Sequence, residues 1–512
     1  MGANKGPFIL AATILGSSLA FIDGTVVNVA LPALQADLGA TVTDVQWVVE
    51  AYALLFSALL LVGGSLGDRY GRRRVYALGI VLFTAASALC GLAPGVRFLI
   101  AARALQGVGA ALLVPGSLAL IAASFPERER GRAIGTWSGF SAMTAALGPA
   151  LGGWLIDHAG WRWAFFLNLP LAVAALVLLF AHVPESRGSG VAQRLDPAGA
   201  ALATAGLGGL VYGLIESSRL GWRAPGVWLA LGIGLVALVL FVVVEARLES
   251  PMLPLSLFRS RAFTAANLMT FALYGGLSMA LFALPLDLIQ VHGYGATAAG
   301  AALLPFILVM VVLSRWAGGL IERHGARPPL VLGPLVSGAG FALLAVPGTS
   351  GAYWTTFFPA LVVLGLGMAI TVAPLTTTVM NAVESAHAGL ASGINNAVSR
   401  TAGLLAIAVL TLPMIAIFSA RLDAELARTN VAPQVAQSVR ADAAKLGALR
   451  APGGATSAEK AQVERAVRTS FVAGFRFVTL ASAGLALLAA GAAFLLLPRG
   501  APAGRKPHPE RV

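Results

Sequence analysis

The chain has 512 residues, 58% of them apolar and only 11% charged, with 59 glycines and a mean hydropathy of +0.82. A soluble domain carries about 25% charged residues, so a water-covered enzyme is excluded. The net charge of +13 would point to nucleic acid in a soluble protein, but a polytopic membrane protein uses excess Lys and Arg to orient its helices. The partner expected is therefore the lipid bilayer, with no nucleic acid.

Apolar runs broken by Arg-rich or Gly/Pro-rich joints predict fourteen spans. Eight lie at 8–31, 46–66, 75–93, 98–123, 133–157, 163–183, 198–215 and 226–244. Six more lie at 263–289, 299–320, 329–347, 355–379, 389–418 and 471–497. The first run is too long for a secretory-signal core and lacks a small-residue cleavage pattern, so it reads as a retained span. Cys90, the one cysteine, excludes an intramolecular disulfide. Short loops on one side hold 19 Lys and Arg, from Lys5 and the loop 69–74 to the C-terminal tail. The opposite side holds 4: Arg97, Arg162, Arg219 and Arg223. Both termini are thus expected in the cytoplasm. The segment 419–470, with 8 basic and 5 acidic residues, falls outside the cell and predicts a helical pair broken near Pro452, Gly453 and Gly454.

An internal repeat organises these spans. Gly64, Leu66, Asp68, Arg69, Gly71 and Arg73 recur 254 residues later as Gly318, Leu320, Glu322, Arg323, Gly325 and Arg327. Each set lies between the second and third spans of its half. The expected fold is an all-α polytopic membrane protein of 14 transmembrane helices. Residues 1–197 form a six-helix bundle, 198–262 two inserted helices and a linker, and 263–512 a second six-helix bundle with the loop 419–470 and a cytoplasmic tail. Parallel repeats of this kind build transporters with a midplane cavity between two halves.

Five segments carry chemistry. Gly64-Ser-Leu-Gly-Asp68-Arg69-Tyr-Gly71-Arg72-Arg-Arg74 is a glycine-rich turn in which an acid at a helix end can pair with a neighbour. Asp23, in Asp23-Gly-Thr-Val-Val-Asn28, lies inside the first span, where an ionised carboxylate is costly and must face a cavity or a partner. It is a proton carrier by default; the bland alternative is a structural acid held permanently by an arginine. Arg103, in Arg103-Ala-Leu-Gln106-Gly-Val-Gly, lies at the same depth as Glu50, so that an ion pair between them is geometrically allowed. Gly148-Pro149-Ala-Leu-Gly152-Gly153 combines close-packing glycines with a helix-bending proline. Trp161-Arg-Trp-Ala-Phe-Phe-Leu-Asn168-Leu-Pro170 reads equally as an interfacial aromatic belt.

The first of these resembles the loop signature of the major facilitator superfamily. All five together resemble the fourteen-span drug/proton antiporter family of the EmrB/QacA type over nearly the whole chain. That resemblance implies a charge-relay latch between helices on the cytoplasmic face, formed by Asp68 and Arg72 with Gly64, Arg69 and Gly71. It implies proton coupling at Asp23 assisted by Arg103, with Glu50 a further candidate for protons or cations. Gly148, Pro149, Gly152 and Gly153 become the motif of exporters, from which Thr144 departs where glycine is frequent. Candidates for the substrate cavity are Asn28, Trp47, Tyr52, Gln106, Asp287, Asn396 and Arg400. Asp287, close to the outer end of its span, also reads as a hydrated interface residue.

Several lookalikes fail on context. Gly63-Gly-Ser65-Leu-Gly67 has the hydrolase-elbow spacing but precedes a basic loop with no strand before it. There is no phosphate-binding G-x-x-x-x-G-K-[ST] loop, and the six histidines lack metal-ligand spacing. The chain is expected to be no enzyme and to need no cofactor, the proton gradient being its energy source. The expected activity is proton-coupled export of amphipathic, cationic drugs by a monomer in the bacterial plasma membrane. Export of one dedicated metabolite, antibiotic or lipid is the alternative.

Overall fold

A computed structural model describes residues 6–187, 196–248, 251–383 and 388–498. Among these residues the regular elements are helices, with no strand. The first half comprises α1 (Gly6–Leu38), α2 (Val42–Tyr70), α3 (Arg72–Gly91), α4 (Val96–Ser124), α5 (Glu127–Ala159), α6 (Trp163–Phe166) and α7 (Asn168–His182). A hairpin of α8 (Pro197–Leu220) and α9 (Pro225–Arg247) comes next. Then follow α10 (Arg261–Leu286), α11 (Ala296–Ala302), α12 (Leu304–Gly318), α13 (Leu320–His324), α14 (Arg327–Leu343) and α15 (Phe357–Asn381). The chain closes with α16 (Ala388–Leu426), α17 (Pro433–Ala441) and α18 (Ser457–Leu496).

Local chemistry explains the joints. Thr41 and Asp44 form a reciprocal capping box at the start of α2. Asp196 caps α8 through Gly199 N, with Pro197 in the first turn. Gly71 joins α2 to α3 at φ +111°, a left-handed setting in which a Cβ would also press on the Glu185 carboxylate. Lys5 lies outside the described residues.

Twelve helices, rather than fourteen, are long and apolar enough to cross a bilayer among the described residues. The two remaining expected spans fall on α5 and α14. The first is diluted by Gly, Ser and Thr; the second is 17 residues long. The thirteenth expected span and its continuation form one helix, α16. In the loop beyond it, α17 and the 3₁₀ segment Ala443–Ala448 precede the break at Pro452–Gly454, after which α18 begins at Ser457.

Contacts divide the chain into two compact units. The first holds Met1–Pro254, Leu281–Ala301 and Ile407–Phe475; the second holds Leu255–Ala280, Ala302–Ala406 and Arg476–Val512. In the first unit α2 packs on α4 and α8, α3 on α4, and α1 on α5 and α7. Thr43 meets Ser218 at 3.1 Å and Trp47 Nε1 donates to Glu216 Oε1 at 3.0 Å, tying α8 to α2. In the second unit α15 packs on α12 and α14. There Asn395 Nδ2 donates to Asn267 Oδ1 (3.1 Å) and to Thr270 Oγ1 (2.7 Å).

Candidate functional site

Asp23 is the centre of a buried polar set inside the first unit. Its carboxylate is fully buried and pairs with Arg103 Nη1, 2.5 Å from Oδ2. Gln106 Nε2 donates to Oδ1 at 2.8 Å, while Gln106 Oε1 accepts from Arg103 Nη1 at 2.7 Å. These two α4 residues stand one helical turn apart, so both reach α1 from one face. Arg103 Nε also donates to the Val48 carbonyl on α2 at 3.0 Å. Its guanidinium carbon lies 4.2 Å from the centroid of the Tyr52 ring, a cation–π contact. Asn168 Nδ2 donates to Ser87 Oγ at 2.9 Å and approaches Asp23 Oδ1 at 3.5 Å. These charge-assisted bonds form a clasp joining α1, α2 and α4.

The pairing allowed by depth alone is corrected: Arg103 bonds Asp23, not Glu50. Depth is one coordinate, whereas pairing also depends on which face each helix turns inward. Glu50 is fully buried and neither carboxylate oxygen has a hydrogen-bond partner among the described residues.

Trp47 and Tyr52 both make contacts within the first unit. Trp47 serves the α2–α8 contact and Tyr52 lies beneath Arg103, its hydroxyl on the Ala20 carbonyl at 3.4 Å. Asn28, on a more open face of α1, donates to Gly24 O. Asn396 is exposed and Arg400 half-buried on α16. Asp287 is not a hydrated interface residue: it is buried, with Oδ2 3.4 Å from His292 Nε2.

At the basic loop, Asp68 and Arg72 pair with each other across the α2–α3 turn at 2.8 Å. The pair joins the end of α2 to the start of α3. The bond from outside comes from Glu185, beyond α7, which the motif search did not single out. Its Oε1 accepts from Arg73 N (3.0 Å) and Ser186 N (3.1 Å), while Arg72 N donates to Ser186 O (2.8 Å). Arg69 is exposed in the last turn of α2, where a cation suits the helix dipole. Replacing Glu185 with Ala strands those amide donors, at a cost of about 1–3 kcal/mol. Thermal unfolding in detergent should show the loss, with Glu185→Gln retaining part of the stability.

The Gly-Pro motif packs α5 on two sides. A Cβ on Gly148 would collide with Thr25 and one on Gly152 with Val26, both on α1. A Cβ on Gly153 would strike the Ala296 carbonyl, and one on Gly300 the Pro149 carbonyl. Asp157, near the end of α5, receives Ala296 N (3.0 Å), Thr297 N (2.8 Å) and Thr297 Oγ1 (2.6 Å), capping α11. Thr144, the departure from the motif, accepts from Ser18 Oγ at 3.2 Å. Asp37 accepts from Trp161 Nε1 (2.9 Å) and Arg162 Nη1 (2.8 Å). Asp37, Asp157 and Glu185 escaped the motif search because each acts through a partner distant in sequence. Among the described residues no group of three or more His, Cys, Asp or Glu could hold a metal ion.

Residues 13–407 match the Major Facilitator Superfamily. The chain belongs to this superfamily of transporters. It is a multi-pass membrane protein and not an enzyme. It is 38% identical over 429 residues to multidrug resistance protein Stp of Mycobacterium tuberculosis (strain CDC 1551 / Oshkosh), covering 82% of this chain and 78% of that one. It is 32% identical to the tetracenomycin C resistance and export protein of Streptomyces glaucescens, covering 94% and 90%. Its fold is similar to that of a bacterial homologue of the human lysosomal transporter Spinster, crystallised inward-facing and unoccupied. The TM-score is 0.64 at 17% identity, over 96% of this chain and 98% of that one.

Proposed function

We propose that this superfamily member is a proton-coupled antiporter that exports amphipathic, cationic drugs, of the fourteen-span EmrB/QacA type. The reading places it as a monomer in the bacterial plasma membrane, with α5 and α14 crossing as well and both termini in the cytoplasm. The observation that carries it is the buried Asp23–Arg103–Gln106 set, in a chain similar to named resistance proteins. Protonation of Asp23 from outside frees Arg103 to rearrange; deprotonation toward the cytoplasm restores the pair. Glu50 supplies a second acid close by in sequence to the Val48 contact, buried where an ionised carboxylate is costly to keep. One proton crossing about 100 mV supplies about 2.3 kcal/mol, and one pH unit about 1.4 kcal/mol. Together they concentrate a neutral compound a few hundredfold.

The test uses everted vesicles acidified inside and loaded with a quenched pH dye, challenged with ethidium, tetraphenylphosphonium, neutral antibiotics and organic anions. Alkalinisation by the cations is the expected result. Response to a single neutral or anionic compound would favour a dedicated exporter, a reading supported by the relative named for tetracenomycin C.

A further inference from the structure

Asp287 and His292 form the second buried acid-and-base pair of the first unit. Both side chains are nearly inaccessible, 1% and 5% exposed, with Oδ2 and Nε2 3.4 Å apart. Their meeting depends on local backbone. Five residues apart on an ordinary α-helix of 3.6 residues per turn, they would point about 140° away from each other. The helix instead widens into a π turn over Asp287–Val291, and His292 N donates to Asp287 O at 3.2 Å. That wider turn brings imidazole and carboxylate to one side. Such turns inside transmembrane helices are uncommon and concentrate at functional sites.

The same turn is fastened to the segment that covers it. Gln290 Nε2 donates to Gln35 Oε1 at 2.9 Å, and Gln35 Nε2 donates to the Lys445 carbonyl at 3.1 Å. The 3₁₀ segment Ala443–Ala448 packs on the turn and on α1 and α2. Leu446 in it is buried at φ +49°. Of the charges on these elements, Glu50 of α2 is buried with no hydrogen-bond partner among the described residues, and Asp23 of α1 is held by Arg103. Lys445 pairs with Asp442 (2.8 Å), Arg450 donates to the Gly447 and Leu449 carbonyls (3.1 and 3.0 Å), and Asp37 holds Arg162 (2.8 Å). On α2, Asp44 is bound in its capping box. Tyr294, 6.4 Å between ring centroids, is the titratable neighbour in the same segment.

We propose that Asp287 and His292 are a second proton-binding site, loaded from the extracytoplasmic side beneath the segment 443–448. The inference rests on the antiport reading above and adds a proton to it. Carboxylate and neutral imidazole take up one proton to become carboxylate and imidazolium, and return to the starting pair when it leaves. Imidazole is suited to this exchange because its charge changes between about pH 5 and 8.

The experiment uses the full-length protein in proteoliposomes with ethidium as the carried cation, at fixed membrane potential and varied extracytoplasmic pH. Wild type, Asp287→Asn, His292→Gln and Asp23→Asn are compared. The two new variants are expected to take in about one proton fewer per ethidium exported, and their dependence on extracytoplasmic pH should flatten. Ethidium binding to His292→Gln in detergent should stay within about twofold, a split that a purely structural role would not produce. Unchanged stoichiometry and pH profile in His292→Gln would overturn the proposal, and this variant decides the matter if Asp287→Asn does not fold. The antiport reading fails separately, if Asp23→Asn keeps proton-driven export.

Discussion

Replacing Asp23 with Asn is expected to reduce proton-driven export at least about tenfold and to abolish substrate-induced alkalinisation of everted vesicles. The substitution preserves the size of the side chain and an oxygen for Gln106, so the helices stay packed. What is lost is the ability to bind a proton and the counter-ion of a guanidinium 2% exposed. Removing the side chain altogether is harsher. Asp23→Ala removes the acceptor of Gln106 as well as the counter-ion of Arg103, a loss of about 3–5 kcal/mol, and thermal unfolding in detergent should fall further than in Asp23→Asn. Arg103→Lys should not rescue export. A lysine cannot meet Asp23, Gln106 and the Val48 carbonyl with one planar fork while lying over Tyr52. Export and alkalinisation at wild-type levels in Asp23→Asn would refute the coupling assigned to this carboxylate.

The second large effect is expected from one methyl group. Gly153→Ala and Gly300→Ala each set a Cβ against a main-chain carbonyl, of Ala296 and Pro149 respectively. Main chain within a helix cannot give way as a side-chain tip can, so α5 and the segment Ala296–Ala302 must separate. Overpacking of this kind costs about 1–3 kcal/mol, enough to shift an equilibrium between two arrangements about 5- to 150-fold. Export should fall by at least about tenfold in either variant. The shift itself is readable by placing a cysteine at Ala299, which is fully buried, and labelling it with a membrane-impermeant maleimide. Labelling should be slow in the wild-type background and rise in the glycine variants. Cys90, also fully buried, contributes little background. Equal labelling in both backgrounds would show that the contact does not hold this side closed.

Much of the architecture was legible because the bilayer imposes one simple rule: apolar runs long enough to cross, with cations at their ends. Twelve of the expected spans follow directly from it. Where polarity is mixed the rule weakens, as in α5, whose Thr144, Gly148 and Gly152 pack against α1. The site was legible in its membership more than in its pairing. Asp23, Arg103 and Gln106 stand out as polar residues in apolar runs, but a linear sequence carries no azimuth. It could not tell that Arg103 bonds Asp23 rather than Glu50, or that Trp47 faces Glu216. His292 was one of six scattered histidines; only the π turn sets it beside Asp287.

The hairpin α8–α9 has a mechanical consequence. Only 17% of the most apolar stretch of α9 is buried, so acyl chains surround most of its circumference. Its partner α8 is bolted to α2 by Thr43–Ser218 and Trp47–Glu216, and α2 in turn receives Arg103 at Val48. Lateral pressure on α9 is thereby delivered to the helix that bears Glu50 and the Asp23 clasp. Turnover should respond to acyl-chain length and order even though the hairpin contributes no residue to that clasp.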